Sequence, residues 1–254
     1  TSESGEAHTP ALQVAHVGGN LTNLGISVSR FQASNPNSVP IILQKSRNDT
    51  IGSHTIVVDD DELGRIEFAG SDGSNFRTAA AITGEVDGTP GSSDMPGRLE
   101  FKTTADGATS PTERLRITSG GGFHFTNGEL IERAKVTAGK LSDNTNIDLE
   151  NGMVHLFTTQ ETTTCTPNIR INSSTSLNSV MAVGEMISVT LITTAAAAGY
   201  SAQLTIDGNA VTENWTGGSA PSDGGSSGVD IYAYTIIKTA NATFTVVATQ
   251  TKTS

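Results

Sequence analysis

Four consecutive acidic residues, Asp59 to Glu62, form a compact group of possible metal ligands. A hard cation such as calcium takes about six to eight oxygen ligands, which carboxylates supply well. The run lacks the residue spacing of helix–loop–helix calcium sites, and in an extended segment its side chains would alternate between two faces. A solvated acidic turn is therefore the favoured interpretation, with cation binding as the alternative.

Two glutamates, Glu67 and Glu100, occupy equivalent positions in two similar segments. Hydrolysis of a glycosidic bond normally needs two carboxylates about 5 to 10 Å apart, and neighbouring strands could bring these two that close. Each glutamate is also preceded by Arg and an apolar residue, which is typical of an outward ladder of ion pairs. We therefore expect no catalytic residues and no enzyme activity.

The histidines and the single cysteine show no spacing suited to metal binding or nucleophilic catalysis. The five histidines are scattered along the chain: His8, His16, His54, His124 and His155. The alternative for His124 is a position on a trimer axis, where three copies would bind an ion. Cys165 has no neighbouring His, which argues against an activated thiolate. The sequence thus predicts no metal site, no cofactor and no intrachain disulfide.

The aromatic side chains of the C-terminal half are the best candidates for ligand contact. Trp215 directly precedes a glycine-rich loop at residues 217–225, and tyrosines stand on or near predicted strands at Tyr200, Tyr232 and Tyr234. Loops at the end of a β-domain often carry recognition, and an aromatic ring offers a sugar an apolar surface. The alternative for a lone Trp in a small β-domain is a place in the core.

The elements around these residues are predicted by a repeat. The segment from Gly64 to Gly73 returns from Gly97 to Gly107, with a third, imperfect copy at residues 114–117. Apolar and charged residues alternate, which is the period of a half-buried strand, and glycine-rich turns separate the copies. This pattern predicts that the core receives Ile66, Phe68, Leu99, Phe101, Leu115 and Ile117. The outward face is predicted to hold Arg65, Glu67, Arg98, Glu100, Arg114 and Arg116.

Composition narrows the choice of partners. The 254 residues carry a net charge of −11, which argues against nucleic acid and against anionic lipid surfaces. The longest uncharged apolar run, residues 186–192, is too short to span a bilayer. Ser, Thr, Asn and Gly are abundant while charged residues make up 16%, and this mixture favours many short strands joined by tight turns.

Four regions are predicted along the chain. Residues 1–58 form a β-rich region near the attachment point, residues 59–128 a repeat shaft, residues 129–152 a connector, and residues 153–254 a β-sandwich or jelly-roll-like tip. The fold class is therefore all-β. Within residues 128–136, a strand and a short helix remain equal alternatives. Residues 207–209 (Asp-Gly-Asn) give a strong hairpin signal.

Particular segments resemble the fibre proteins of tailed bacteriophages, especially those of marine and other aquatic hosts. In the shaft the resemblance is carried by residues 86–91 (Val-Asp-Gly-Thr-Pro-Gly), 94–101, 103–107 and 111–117. In the C-terminal half, residues similar to the terminal domains of such proteins are 151–155, 192–194, 199–202, 214–215, 217–221 and 236–239. Together these segments cover most of residues 60–250.

The resemblance implies a structural protein of the virion, a tail fibre or similar appendage, that assembles as a homotrimer with other virion structural proteins. Its C-terminal domain would bind the host surface, with a glycan as the expected receptor. The alternative is a capsid decoration or head-fibre protein; a glycan-degrading tailspike is less favoured. Many relatives end in a self-cleaving chaperone domain, for which this sequence gives no sign.

Overall fold

A computed structural model describes Phe31 and residues 40–253, and its regular secondary structure is almost entirely β, as predicted. The chain divides into two compact units, residues 1–130 and 131–254. Apart from Phe31, the part of the predicted β-rich region before residue 40 lies outside the described residues, as do His8 and His16. No helix in the described part of the chain is both long enough and apolar enough to cross a membrane.

The first unit contains a five-stranded antiparallel sheet in which each strand pairs with the next. Its strands are β1 (Glu62–Ser71), β2 (Phe76–Val86), β3 (Gly97–Thr103), β4 (Thr112–Ile117) and β5 (Phe123–His124). The turns after β1, β3 and β4 each contain a glycine with positive φ, at Gly73, Gly107 and Gly121. The strand-and-turn pattern predicted from the repeat is therefore confirmed.

The two repeat copies are not neighbours in this sheet. The segment between the copies contains β2, and β2 lies between β1 and β3. Ile82 on β2 pairs with Ile66 on one side and with Phe101 on the other. The register therefore aligns the apolar positions of both copies on one face of the sheet.

The second unit is a β-sandwich. Its elements are β6 (Ala134–Thr137), β7 (Asn146–Asp148), a 3-10 turn (Leu149–Asn151), β8 (Val154–Gln160), β9 (Asn168–Arg170), α1 (Leu177–Val180), β10 (Met186–Thr194), β11 (Thr205–Ile206), β12 (Asn209–Ala210), β13 (Glu213–Trp215), β14 (Val229–Ala240) and β15 (Thr243–Lys252). One sheet has the order β13-β15-β14-β10-β8-β6, and the other has the order β12-β11-β9-β7.

The core of the second unit lies between these two sheets. The four-stranded sheet contributes Ile147, Ile169 and Ile206, and all three are almost fully buried. From the six-stranded sheet, β14 alternates buried and half-buried residues along most of its length, as a strand with one inward face does. Buried side chains from both sheets form a single apolar cluster, and the predicted sandwich is confirmed.

Local signals in this unit correspond to defined structures. Asp207 and Gly208 both have positive φ and join β11 to β12, which is the geometry of a tight hairpin turn. Of the two alternatives for residues 128–136, the strand is correct at Ala134–Thr137. The structure groups residues 131–152 with the sandwich, because β6 pairs with β8 and β7 pairs with β9.

Candidate functional site

The sheet of the first unit exposes the face that the sequence predicts to be its core. Ile66 and Phe68 are 53% and 55% exposed, and Phe123 at the other edge is more exposed still. Ile66, Ile82, Phe101 and Leu115 are paired in one row across four strands. Ile66, Phe101 and Leu115 thus share one face, as the alternation predicts, but the described residues of this chain do not bury that face.

We call this surface the apolar face. It consists of eight large side chains, all exposed or half-buried: Ile66, Phe68, Ile82, Leu99, Phe101, Leu115, Ile117 and Phe123. At its edge, Leu43 lies over Gly64, where an added Cβ would come within 2.5 Å of the Leu43 Cβ. Glycine at position 64 thus lets the preceding segment pack closely against β1.

The opposite face of the same sheet holds a charge network centred on Arg98 and Glu100. The Arg98 guanidinium bonds Glu100 at 2.5 Å, Glu85 at 2.5 Å and Asp60 at 2.9 Å. Lys102 bridges Glu85 and Glu100, each at 2.9 Å. Glu100 is almost fully buried, so the prediction that Arg98 and Glu100 face solvent is wrong.

Arg116 extends this network to the next strand. It contacts Glu100 at 3.3 Å and Glu113 at 2.5 Å. The hydrogen bond from Arg116 lowers the pKa of Glu113 to about 2, against the opposing effect of partial burial. Glu113 is therefore ionised throughout the physiological pH range.

The pKa values of Glu85 and Arg98 move in the directions expected of ion pairs. Burial alone would raise the pKa of Glu85, but the charges of Lys102 and Arg98 outweigh it and lower the value. Burial alone would lower the pKa of Arg98, but hydrogen bonds to Glu100 and Asp60 raise it. Glu85 therefore stays deprotonated and Arg98 stays protonated near neutral pH, which is typical of a structural ion-pair network rather than of a site for proton transfer.

The pair of glutamates considered for glycan hydrolysis is arranged differently from the prediction. Glu67 and Glu100 lie on β1 and β3, which are separated by β2 rather than adjacent. Glu67 accepts a hydrogen bond from Arg65 at 2.9 Å. Each carboxylate is thus engaged by an arginine from its own strand.

The acidic run at residues 59–62 is bound by the protein's own donors. Asp61 accepts hydrogen bonds from Lys45 at 2.9 Å and from Arg47 at 2.6 Å, and is only 8% exposed. Asp59 accepts from the backbone N–H of Gly88 at 2.7 Å. The interpretation as a solvated turn is therefore wrong for Asp61. Among the described residues, no group of three or more His, Cys, Asp and Glu side chains is placed to hold a metal ion.

Two of the four aromatic candidates are core residues. Tyr232 and Tyr234 are each 1% exposed and belong to the apolar cluster of the sandwich. Burial is the largest effect on both hydroxyl groups and raises their pKa. A receptor cannot reach these rings in the folded domain, so their assignment as receptor-binding residues is wrong.

Trp215 and Tyr200 are half-buried rather than displayed. Trp215 packs against the core, with its ring centroid 6.3 Å from that of Tyr234 and the two planes at 72°. The loop that follows Trp215 is held at its far end by Asp230, whose carboxylate accepts from the N–H of Gly225 at 2.9 Å. The aromatic candidates therefore do not form a common exposed platform.

Cys165 is not an activated nucleophile. Burial, followed by the nearby Glu161, raises the pKa of its thiol to about 12. Its Sγ lies 3.8 Å from the carbonyl oxygen of Tyr200. The thiol is therefore protonated at neutral pH.

No family model and no curated protein matches the chain. Among solved structures, the carboxy-terminal domain of the bacteriophage T5 L-shaped tail fibre is a distant neighbour, at 18% identity and a TM-score of 0.31. The match covers 37% of this chain and 37% of that chain. The structural similarity is thus limited to about a third of each chain.

Ion pairs on the charged face of the first unit's sheet are predicted from the sequence as an outward ladder, but their burial is the feature that the sequence analysis misses. Its signal was present, because the face opposite the apolar residues carries both signs of charge on adjacent strands: Glu85, Arg98, Glu100, Lys102, Glu113 and Arg116. Only the pairing of β2, β3 and β4 shows that these charges satisfy one another and can be buried together.

Proposed function

We propose that this protein is a structural subunit of a virus appendage, and that identical copies join through the apolar face of the first unit. The observation that carries the proposal is the distribution of side chains on this sheet. The charged side chains on one face are paired with one another, and the large apolar side chains on the other face are exposed to solvent. Contiguous apolar patches of more than a few hundred Å² are rare on monomeric proteins and mark interaction surfaces.

The size of the apolar face supports a stable assembly. Burying a large apolar side chain stabilises the folded state by about 1.5–3 kcal/mol. Eight such side chains contribute to the face, and several of them keep about half of their surface open. A second copy is a suitable partner because it offers the same apolar surface without any charge to desolvate. Three copies around one axis agree with the resemblance to fibre shafts.

The second unit would then serve as the tip that contacts the host surface, where we expect a glycan receptor. Its two-sheet core is complete within one chain, so the folding of this unit does not require its outer surfaces to be covered. Several tips on one particle would raise the effective affinity of weak single contacts. The proposed activity is binding without catalysis, which agrees with the arginine-paired state of Glu67 and Glu100.

The test is the molar mass of the purified full chain in solution, measured by light scattering during size-exclusion chromatography. We expect a homotrimer that Phe68→Ser dissociates or weakens at least tenfold. Val180→Ser is the matched control, because Val180 is similarly exposed but lies in the second unit, and this variant should leave the mass unchanged. A wild-type protein that is a folded monomer at micromolar concentration would overturn the proposal.

A further inference from the structure

The outward side chains of three short parallel strands in the second unit form a hydrogen-bonded polar ladder. On β9, Asn168 donates to Asn146 of β7 at 2.9 Å and accepts from Thr205 of β11 at 3.0 Å. One step along, Arg170 Nε donates to Asp148 at 2.6 Å. The residues between them face the core, so the ladder occupies the outer face of the four-stranded sheet.

A hollow lies on each side of this ladder. The first, of about 350 Å³, is lined by Asn168, Arg170 and the hydroxyl-rich loop at residues 172–176. The second, of about 470 Å³, is lined by Asn146, Asp148 and residues of β6. The Asn146–Asn168 and Asp148–Arg170 bonds join residues of the two linings, and we call the ladder together with its two flanking hollows the trough. Both volumes lie in the range of small-molecule sites.

The first wall of the trough is held rigidly. The side-chain carbonyl of Asn172 accepts from the backbone N–H groups of Ser174 and Thr175, at 2.8 and 2.7 Å. Its amide group donates to Glu150 at 2.9 Å. A loop fixed in this way loses little conformational freedom when a ligand binds, which favours affinity.

Several polar groups of the trough keep unused hydrogen-bonding capacity. Arg170 bonds Asp148 through Nε alone, so within the described part of the chain its two terminal amino groups remain available. Among the residues that the structure describes, the Asn146 amide group also has no acceptor, because the bond from Asn168 uses only its carbonyl oxygen. Planar donors next to carboxylate and hydroxyl acceptors complement sugar hydroxyls, each of which both donates and accepts.

The charges of the trough are balanced. Arg170 is paired with Asp148, and the two remaining charged lining residues, Lys135 in the second hollow and Asp207 in the first, have opposite signs. His155, which also lines the second hollow, stays uncharged at neutral pH because burial lowers its pKa. Since the whole chain carries a charge of −11, long-range electrostatics oppose a polyanionic ligand.

We propose that this trough binds an uncharged, hydroxyl-rich glycan chain, which lies across the ladder with a sugar unit in each hollow. The inference rests on the proposed role of the second unit as a host-contacting tip, and it places the contact away from Trp215. Binding depends on hydrogen bonds from the Asn146 and Arg170 side chains rather than on an exposed aromatic ring.

The test is titration of the full-length protein with neutral polysaccharides (mannan, dextran and galactan) and with the polyanion alginate. We expect measurable binding to at least one neutral probe, with Asn146→Ala and Arg170→Gln each raising Kd about tenfold or more. Asn214→Ala is the matched control, since Asn214 also lies on an edge strand, also makes one side-chain hydrogen bond and is adjacent to Trp215. That variant should bind like wild type.

Three outcomes would overturn the inference: no binding to any neutral probe, tighter binding to alginate, or a loss of affinity in Asn214→Ala alone. Each of these can occur while the protein remains an oligomer, so the proposed assembly would stand. A monomeric wild-type protein would refute the assembly and leave the titration interpretable by itself. Circular dichroism of each variant confirms that the sandwich is folded.

Discussion

Arg98 Nε lies 2.5 Å from Glu100 Oε1, and both side chains are nearly buried, at 8% and 4% exposure, whereas Leu99 between them is 39% exposed. The equivalent pair of the other repeat copy, Arg65 and Glu67, makes the same bond at 2.9 Å but remains partly exposed. The difference arises because β3 is an interior strand of the sheet and β1 is an edge strand. Position in the sheet, rather than the motif, therefore determines how deeply the ion pair is buried.

This comparison predicts unequal effects of one substitution at two equivalent sites. Glu100→Gln should lower the free energy of unfolding by about 3 kcal/mol, because Arg98 and Lys102 would lose a buried counter-charge. Glu67→Gln should cost less than about 1 kcal/mol, since its ion pair is solvated. Urea denaturation at one fixed protein concentration gives both values, and equal losses would contradict the buried network.

The stability of the first unit should fall in acid. The pKa of Glu113 is about 2 in the folded protein against an ordinary value of 4.5, so its contribution is complete above pH 4.5 and is lost as the pH falls towards 2. Thermal melting between pH 6 and pH 2.5 should show this decline. In Glu113→Gln the decline should be smaller, with lower stability at pH 6. An identical acid profile in both proteins would argue against the Arg116 ion pair.

Trp215 should behave as a packing residue. Trp215→Ala removes the edge-to-face contact with Tyr234 and should destabilise the sandwich by about 2–3 kcal/mol. Trp215→Phe should recover part of this loss, because a smaller ring still contacts the core. Thermal unfolding of both variants and of wild type ranks their stabilities, and we expect wild type to be the most stable and Trp215→Ala the least. If Trp215→Ala is as stable as wild type but no longer adheres to host cells, Trp215 would be a receptor-binding residue instead of a packing residue.

Cys165 should resist alkylation in the folded protein. With a pKa of about 12 against an ordinary 9.0, its thiolate fraction at pH 8 is about a thousandfold lower than that of a free thiol. Iodoacetamide labelling followed by mass spectrometry should therefore be slow until denaturant is added. Rapid labelling of the native protein would show that the thiol is more accessible than its surroundings indicate.

The two units should differ in their ability to fold alone. A fragment of residues 131–254 should give a cooperative thermal transition as a monomer, because its core is closed within one chain. A fragment of residues 40–130 should either associate or bind a hydrophobic dye, since its apolar face stays open without other copies. A dye-free, folded monomer of residues 40–130 would contradict the proposed assembly surface.

Much of the local structure follows from the sequence itself. Alternation of apolar and charged residues over residues 64–68 and 97–101 correctly predicts strands, because side chains of an extended backbone point to opposite sides in turn. Glycine at position 208 correctly predicts the β11–β12 hairpin, because positive φ costs glycine little. These features depend on a few neighbouring residues, and a linear sequence contains that information.

Only the tertiary structure decided which face of each strand is buried. Alternation assigns Leu99 and Glu100 to opposite faces, but the choice between the faces depends on which strands lie alongside. Glu100 can be buried because Arg98 and Lys102 on its own strand and Arg116 on β4 all pair with it. Tyr232 is buried because a second sheet covers β14. The ladder of Asn146 and Asn168 likewise needs two strands 22 residues apart to pair. Such contacts depend on the pairing of distant segments, for which no local pattern in the sequence is sufficient.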